Sequence, residues 1–322
     1  MKNKFLFKNL VEVLQDRIPQ RGKLAGVLTE LLGIEKEAVY RRLRGSVPFS
    51  FEEVHAIAVY LGFSLDSIAE NTSQITRQLT ILMTDLLEPQ ESDYKKLEYF
   101  SVNINRLKED PDSESGMIGS IIPSSLYISY EKIYKFYLFK WLHQLNNPSK
   151  IKSYAEMTIP ERLTRMNRDI LNGVQASSKS VYILDRKILK YFVNDVQFFL
   201  DIRLLTKEDV QLLKEDLILF INDLERYAIN GKFDRGNKMF IYLANVHIDA
   251  NYYYIDASQF KLTMLRTFCF SDSYSLDETV FRNLKDWLNF LKRTSTLISD
   301  GNVQERIRFF ERQRKIIDTL KV

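Results

Sequence analysis

Arg41, Arg42 and Arg44 fall within one helical turn of each other, and Lys36, Glu37 and Tyr40 precede them by about one more. Guanidinium forks at this density suit two acceptors, the O6/N7 edge of guanine and the oxygens of phosphate. Lys36 can meet a base or a backbone. Glu37 can accept a hydrogen bond from cytosine N4, or repel phosphate and so sharpen register. The bland alternative is a solvated, charged helix face, and the elements that hold these residues decide between the two.

Those elements are legible around the cluster. A helix over 35–44 buries Ala38, Val39 and Leu43 and turns Lys36, Glu37, Tyr40, Arg41 and Arg44 outward. Gly33 stands before it, where a helix-turn-helix needs a tight turn, and Gly45 with Pro48 ends it. Helices over 6–18, with Leu10, Val11 and Leu14 on one face, and over 23–32 lead in. A further helix over 51–61 follows, opened by a Ser50-x-x-Glu53 capping box, and Ser64 is a second N-cap candidate. In such a motif the N-terminal part of the second helix reads base edges. That ranks Lys36, Glu37, Tyr40 and Arg41 as base readers, and Arg42 and Arg44 as phosphate anchors that position without reading sequence.

The stretch from Leu28 to Ile68 resembles, without a gap, the Cro and phage-repressor (XRE-type) helix-turn-helix family. The residues that carry the resemblance are Leu32-Gly33, Arg41 with Arg44-Gly45, Pro48, Val54 and Leu61-Gly62-Phe63-Ser64-Leu65-Asp66. One departure is Arg42 before Leu43, where the family helix places its second apolar residue one position earlier and then an acid. Val39 and Leu43 still share a face at i,i+4. The resemblance implies a bacterial DNA-binding transcription regulator over roughly the first 70 residues.

With 322 residues the chain exceeds the size at which single cores tend to split, so two domains are expected. The polar stretch 71–74 places the boundary between a 1–72 helix-turn-helix domain and a 73–322 domain. A hydrophobic fraction of 45% excludes a disordered chain, and a net charge of only +4 means that DNA affinity must come from local charge. One cysteine, Cys269, rules out an intrachain disulfide and suits a reducing compartment. The first 20 residues are amphipathic and acidic by Glu12, unlike a signal peptide, and no apolar run nears a membrane span, so the expected location is cytoplasmic.

The second domain is expected to be α+β with a short antiparallel sheet, making the whole chain mainly α with a smaller β component. Residues 75–83 are β-compatible, 94–107 helical, 110–116 a loop and 118–122 a short strand. Helices are expected over 126–145, from 159, and over 185–200, 207–229, 277–294 and 303–320; Thr206 caps the fourth and Asn230-Gly231 end it. The aromatic and β-branched runs 239–248, 252–257 and 261–270 read as a three-stranded meander. Phe139-Lys140-Trp141, the string from Lys292 to Ser299, Arg306 and Phe309-Phe310 resemble the C-terminal region of helix-turn-helix regulators of Bacteroidetes-type bacteria. That resemblance implies sensing or assembly without naming a ligand.

Other chemistry is thin. There is no His-x-x-x-His or Cys-x-x-Cys pair and no glycine-rich phosphate loop. His247 and Asp249, two apart on an expected strand, are either acid–base machinery or the polar face of an exposed hairpin. His55 reads as a half-buried helix residue, His143 as core-edge, and Cys269 between Phe268 and Phe270 as a small packed hydrophobe. Tyr252, Tyr253 and Tyr254 with Phe260, Phe268 and Phe270 either line an apolar pocket or fill a core. The last helix puts Ile307, Phe310, Ile317 and Leu320 on one stripe and Arg308, Arg312 and Arg314 elsewhere; it pairs with its counterpart in a dimer, supplies extra phosphate contacts or covers the sheet. No catalytic or metal residue, and no cofactor, is assigned. The reading is a non-enzymatic, sequence-specific transcription regulator. Its expected partners are double-stranded DNA, a second copy in a homodimer, and an unidentified small-molecule or protein effector, with no membrane. The alternatives are a protein-interaction adaptor and, third, an enzyme carrying a helix-turn-helix.

Overall fold

The computed structural model describes residues 2–18, 20–61, 63, 65, 68, 80–82, 89–144, 153–266 and 272–321. The chain divides into two compact units, 1–78 and 79–322. The expectations for Ser64, Cys269, Phe268, Phe270 and the 71–74 boundary lie outside the described residues, as does most of the 75–83 run.

The first unit is helical. It contains α1 (Lys2–Arg17), α2 (Arg21–Leu32), α3 (Lys36–Leu43) and α4 (Phe51–Leu61). α2 stops because Gly33 takes the left-handed conformation at φ 63°, and its N–H closes on the Thr29 carbonyl. Gly45, at φ 76°, ends the turn after α3, and a Cβ there would sit 3.0 Å from the Phe7 ring, so two constraints select glycine. Leu10, Leu14, Leu24, Leu28, Val39 and Ile57 form the core of the unit.

The second unit is α+β around an eight-stranded mixed sheet of order β1-β7-β6-β5-β2-β3-β4-β8. Its centre is β2 (Glu114–Gly119), β3 (Lys179–Leu184) and β4 (Lys238–Leu243), all parallel. Parallel neighbours need long crossovers. Between β2 and β3 run a single turn (Ser124–Tyr127), α6 (Glu131–Gln144) and α7 (Glu161–Gln175). Between β3 and β4 run α8 (Lys190–Asp201) and α9 (Lys207–Asn230). α5 (Glu91–Asn105) precedes β2. On the other side of β2 hangs an antiparallel meander, β5 (Tyr252–Asp256), β6 (Lys261–Arg266) and β7 (Asp272–Ser275), with β1 (Thr80–Leu82) beyond it. α10 (Glu278–Thr294), β8 (Thr296–Leu297) and α11 (Val303–Asp318) complete the unit.

The short antiparallel sheet expected from sequence is therefore corrected to a large mixed one. The run beginning at Met239 pairs in parallel with β3 and does not join the meander, whose third strand is β7. β3 was unexpected because, after Lys179, all its residues are buried; a strand covered on both faces has no alternation to read. β2 begins at Glu114, inside the expected 110–116 loop, and the 185–200 helix starts only at Lys190. The expected capping of α9 is present: Thr206 Oγ1 accepts from Asp209 N at 3.1 Å, and Gly231 follows at φ 62°.

Several of the C-terminal residues that carry the resemblance hold the unit together. The Arg306 guanidinium, buried, donates to the carbonyls of Ile298 and Gly301 at 3.0 Å each, and Ser299 Oγ accepts from Ile241 N, which ties α11 and β8 to β4. Phe309 and Phe310 enter the main core, and Lys140 pairs with Asp195 between α6 and α8. Phe310, Ile317 and Leu320 are buried as α11 packs on α8 and α9, whereas Ile307 is exposed. Tyr252 and Tyr254 point to one face of the sheet and Tyr253 to the other, so the three tyrosines fill two cores and share no pocket.

Candidate nucleic-acid interface

α3 is anchored on one side and open on the other. Val39 is fully buried, and Ala38, Tyr40 and Leu43 are half-buried; Tyr40 and Leu43 pack on the core of the first unit. Tyr40, expected to point outward, instead extends the core edge, because an aromatic ring gains more by lying on apolar neighbours than in water. Lys36, Glu37, Arg41 and Arg44 are exposed. Glu37, Arg41 and Arg44, at i, i+4 and i+7, make one stripe, with Lys36 beside it. Arg44 Nη2 donates to Glu37 Oε1 at 2.8 Å across two turns, and both side chains remain largely in solvent. Such an exposed pair contributes little stability, so Arg44 and Glu37 are available to other partners.

Arg42 is placed differently. Its Nε donates to Glu53 Oε2 at 2.9 Å and its Nη2 lies 2.8 Å from Oε1, a two-point fork on the first turn of α4 with both side chains less than a fifth exposed. Glu53 Oε2 also accepts the Ser50 backbone N–H at 2.9 Å, and Ser50 Oγ accepts from Glu53 N at 3.2 Å, which is the expected capping box. Burial pushes the Glu53 carboxyl up, but the Arg42 guanidinium and the Ser50 N–H outweigh it and hold it below its ordinary value. A single carboxylate thus caps α4 and sets the rotation of α3. Sequence reasoning identified the box but missed its second duty, since the only signal was a cation 11 residues upstream of an N3 glutamate.

The remaining candidates do not assemble. His247 Nε2 lies 3.6 Å from Asp249 Oδ1 with both side chains in solvent, and they occupy the loop after β4, where a strand was expected. His55 is exposed, which corrects the half-buried placement. The His143 ring stands edge-on to Phe199 with centroids 5.1 Å apart, at the margin of the core. Among the described residues no three His, Cys, Asp or Glu side chains gather as a metal site, and no helix is long and apolar enough to cross a membrane.

Searches of curated proteins and of solved structures find no match to the chain. Residues 2–92, which take in α1 to α4 and the start of α5, match the family model of the BetR domain, and this part of the chain is thereby similar to a helix-turn-helix DNA-binding domain of transcription regulators.

Proposed function

We propose that the protein is a sequence-specific DNA-binding transcription regulator acting as a homodimer, with α3 as its recognition helix and residues 79–322 as its sensing or assembly part, rather than an enzyme. The observation that carries the reading is the exposed stripe of Lys36, Glu37, Arg41 and Arg44 on a helix locked from behind by Val39 and the Arg42–Glu53 fork. The similarity of residues 2–92 to the BetR domain supports it. In this reading Lys36, Glu37 and Arg41 read bases and Arg44 leaves Glu37 for a phosphate. Tyr40 seats the helix and contributes its accessible edge, and Arg42 orients the helix from inside. Two readers in a dimer engage half-sites about 34 to 36 Å apart.

Selection from a random duplex library by the full-length protein, followed by affinity against salt, tests it. A palindromic motif is expected, with log affinity falling steeply with log salt. Arg41→Ala is expected to cost about 1 to 3 kcal/mol on the selected site and to relax one base position; unchanged affinity and preference would overturn this placement of the helix. The adaptor reading has one observation in its favour, the exposed apolar side chains Phe51, Val59 and Tyr60 on α4. No enrichment and a flat salt response would favour it.

A further inference from the structure

End residues of five adjacent strands, the first of β2, β3, β4 and β6 and the last of the antiparallel β5, form a charged row across one end of the sheet. In register order they are Lys238 on β4, Lys179 on β3, Glu114 on β2, Asp256 on β5 and Lys261 on β6. Directly paired residues share a face, and α10 brings Lys285 and Lys292 to Glu114 on that face. Glu114 is buried. Its Oε1 accepts from Tyr254 Oη at 2.6 Å and from Lys285 Nζ at 2.7 Å, and its Oε2 lies 2.9 Å from Lys179 Nζ. Lys285 also reaches Asp256 at 3.3 Å, and Lys261 pairs with the same carboxylate. Lys292 Nζ is 3.8 Å from Glu114 Oε1, too far to donate to it. Gly116 makes the arrangement possible, since a Cβ there would meet the Tyr254 ring at 2.7 Å.

Neutralising one buried carboxylate takes one or two cations. Here three ammoniums, from Lys179, Lys285 and Lys292, stand within 4 Å of Glu114. With Lys238 and Lys261, five cations in the described row and helix face two carboxylates. Like charges gathered around one carboxylate repel each other, a cost that an added anion would convert into attraction. Burial, together with the Lys285 and Lys179 ammoniums, pushes the Lys292 amine below the usual lysine range against the opposing pull of Glu114.

We infer that Lys179, Lys285 and Lys292 form a binding site for a small phosphate-bearing anion, with Glu114 and Tyr254 as positioning residues that hold the lysines without touching the ligand. A tetrahedral dianion offers three oxygens to three ammoniums, and lysine serves phosphate as a compact point charge. The inference rests on the reading of residues 79–322 as a sensor and names the chemistry sensed.

The test is calorimetric titration of the full-length protein with inorganic phosphate and, separately, with glycerol phosphate, at constant ionic strength against chloride. Saturable binding of one anion per chain is expected, with Kd raised about tenfold or more by Lys292→Gln and largely restored by Lys292→Arg. Lys179→Gln, on a more exposed side chain, supplies the same comparison should Lys292→Gln fail to fold. Tighter binding of the ester would identify an organic phosphate as the source, and equal binding the free ion. No heat beyond the chloride control, or an affinity in both glutamine variants equal to that of the parent protein, would overturn the site. Operator affinity measured with and without phosphate separates the two readings: a bound anion that leaves it unchanged supports the site and removes the sensing role for this ligand.

Discussion

Glu53 serves two helices with two oxygens, and that economy makes specific demands on its partners. Arg42→Ala is expected to destabilise the first unit by about 1 to 2 kcal/mol, because it leaves a half-buried carboxylate without its charge-assisted fork. A double-mutant cycle with Glu53→Ala, followed by urea unfolding, should return a coupling of about 1 kcal/mol. The same variant should leave the salt slope of DNA binding unchanged; a slope reduced by about one phosphate would restore Arg42 to the anchoring role first expected of it. Glu114 makes the corresponding statement in the second unit. Burial pushes its carboxyl up, and the hydrogen bonds from Lys285, Tyr254 and Lys179 outweigh it, holding the pKa at about 2. A depressed folded-state pKa contributes stability that is fully present above the ordinary carboxylate value and is lost as pH falls through the folded one. The contribution is on the order of 3 kcal/mol. The stability gap between the parent protein and Glu114→Gln should therefore shrink between about pH 6 and about pH 2. A gap independent of pH would show that the fold does not depress the Glu114 carboxyl.

Elements whose signals are local were legible, and those defined by distant partners were not. Gly33, Gly45, the Ser50–Glu53 box and the Thr206–Gly231 ends of α9 each act within a few residues, so residue type and spacing suffice to place them. The helical unit was thus readable almost to its boundaries, including α4 to the residue. β3 was not, because a fully enclosed strand shows no period, and without β3 the run at Met239 had only the meander to join. The outward side of α3 could be read from periodicity, but its anchoring through Arg42 could not, and neither could the meeting of Glu114 with Lys179 and Lys285, which depends on strand register. Gly116 shows what such register demands. A Cβ there would lie 2.2 Å from the Val181 carbonyl oxygen as well as against Tyr254, so Gly116→Ala should cost about 2 kcal/mol or more by thermal unfolding. Thr206→Ala, which removes only a cap, should cost about 1 kcal/mol. If the two variants were equal, the close approach at Gly116 would not govern the pairing of β2 with β5.

For the whole molecule, the modest net charge means that the proposed DNA binding would draw its electrostatics from a few side chains. In the proposed dimer, Lys36, Arg41 and Arg44 of the two readers bring six cations to the DNA, whether to a base edge or to a phosphate, and counterion release by all six should give a slope of log affinity against log salt of about −5. A slope near half that value would mean that one reader engages at a time. The lock behind α3 carries a further consequence. Because Val39 and the Arg42–Glu53 fork hold the helix from within, positions 36, 37, 41 and 44 have no part in the core. On the proposed function they form an exchangeable face: transplanting four side chains there should rewrite which sequence the unit recognises while its melting temperature stays where it is.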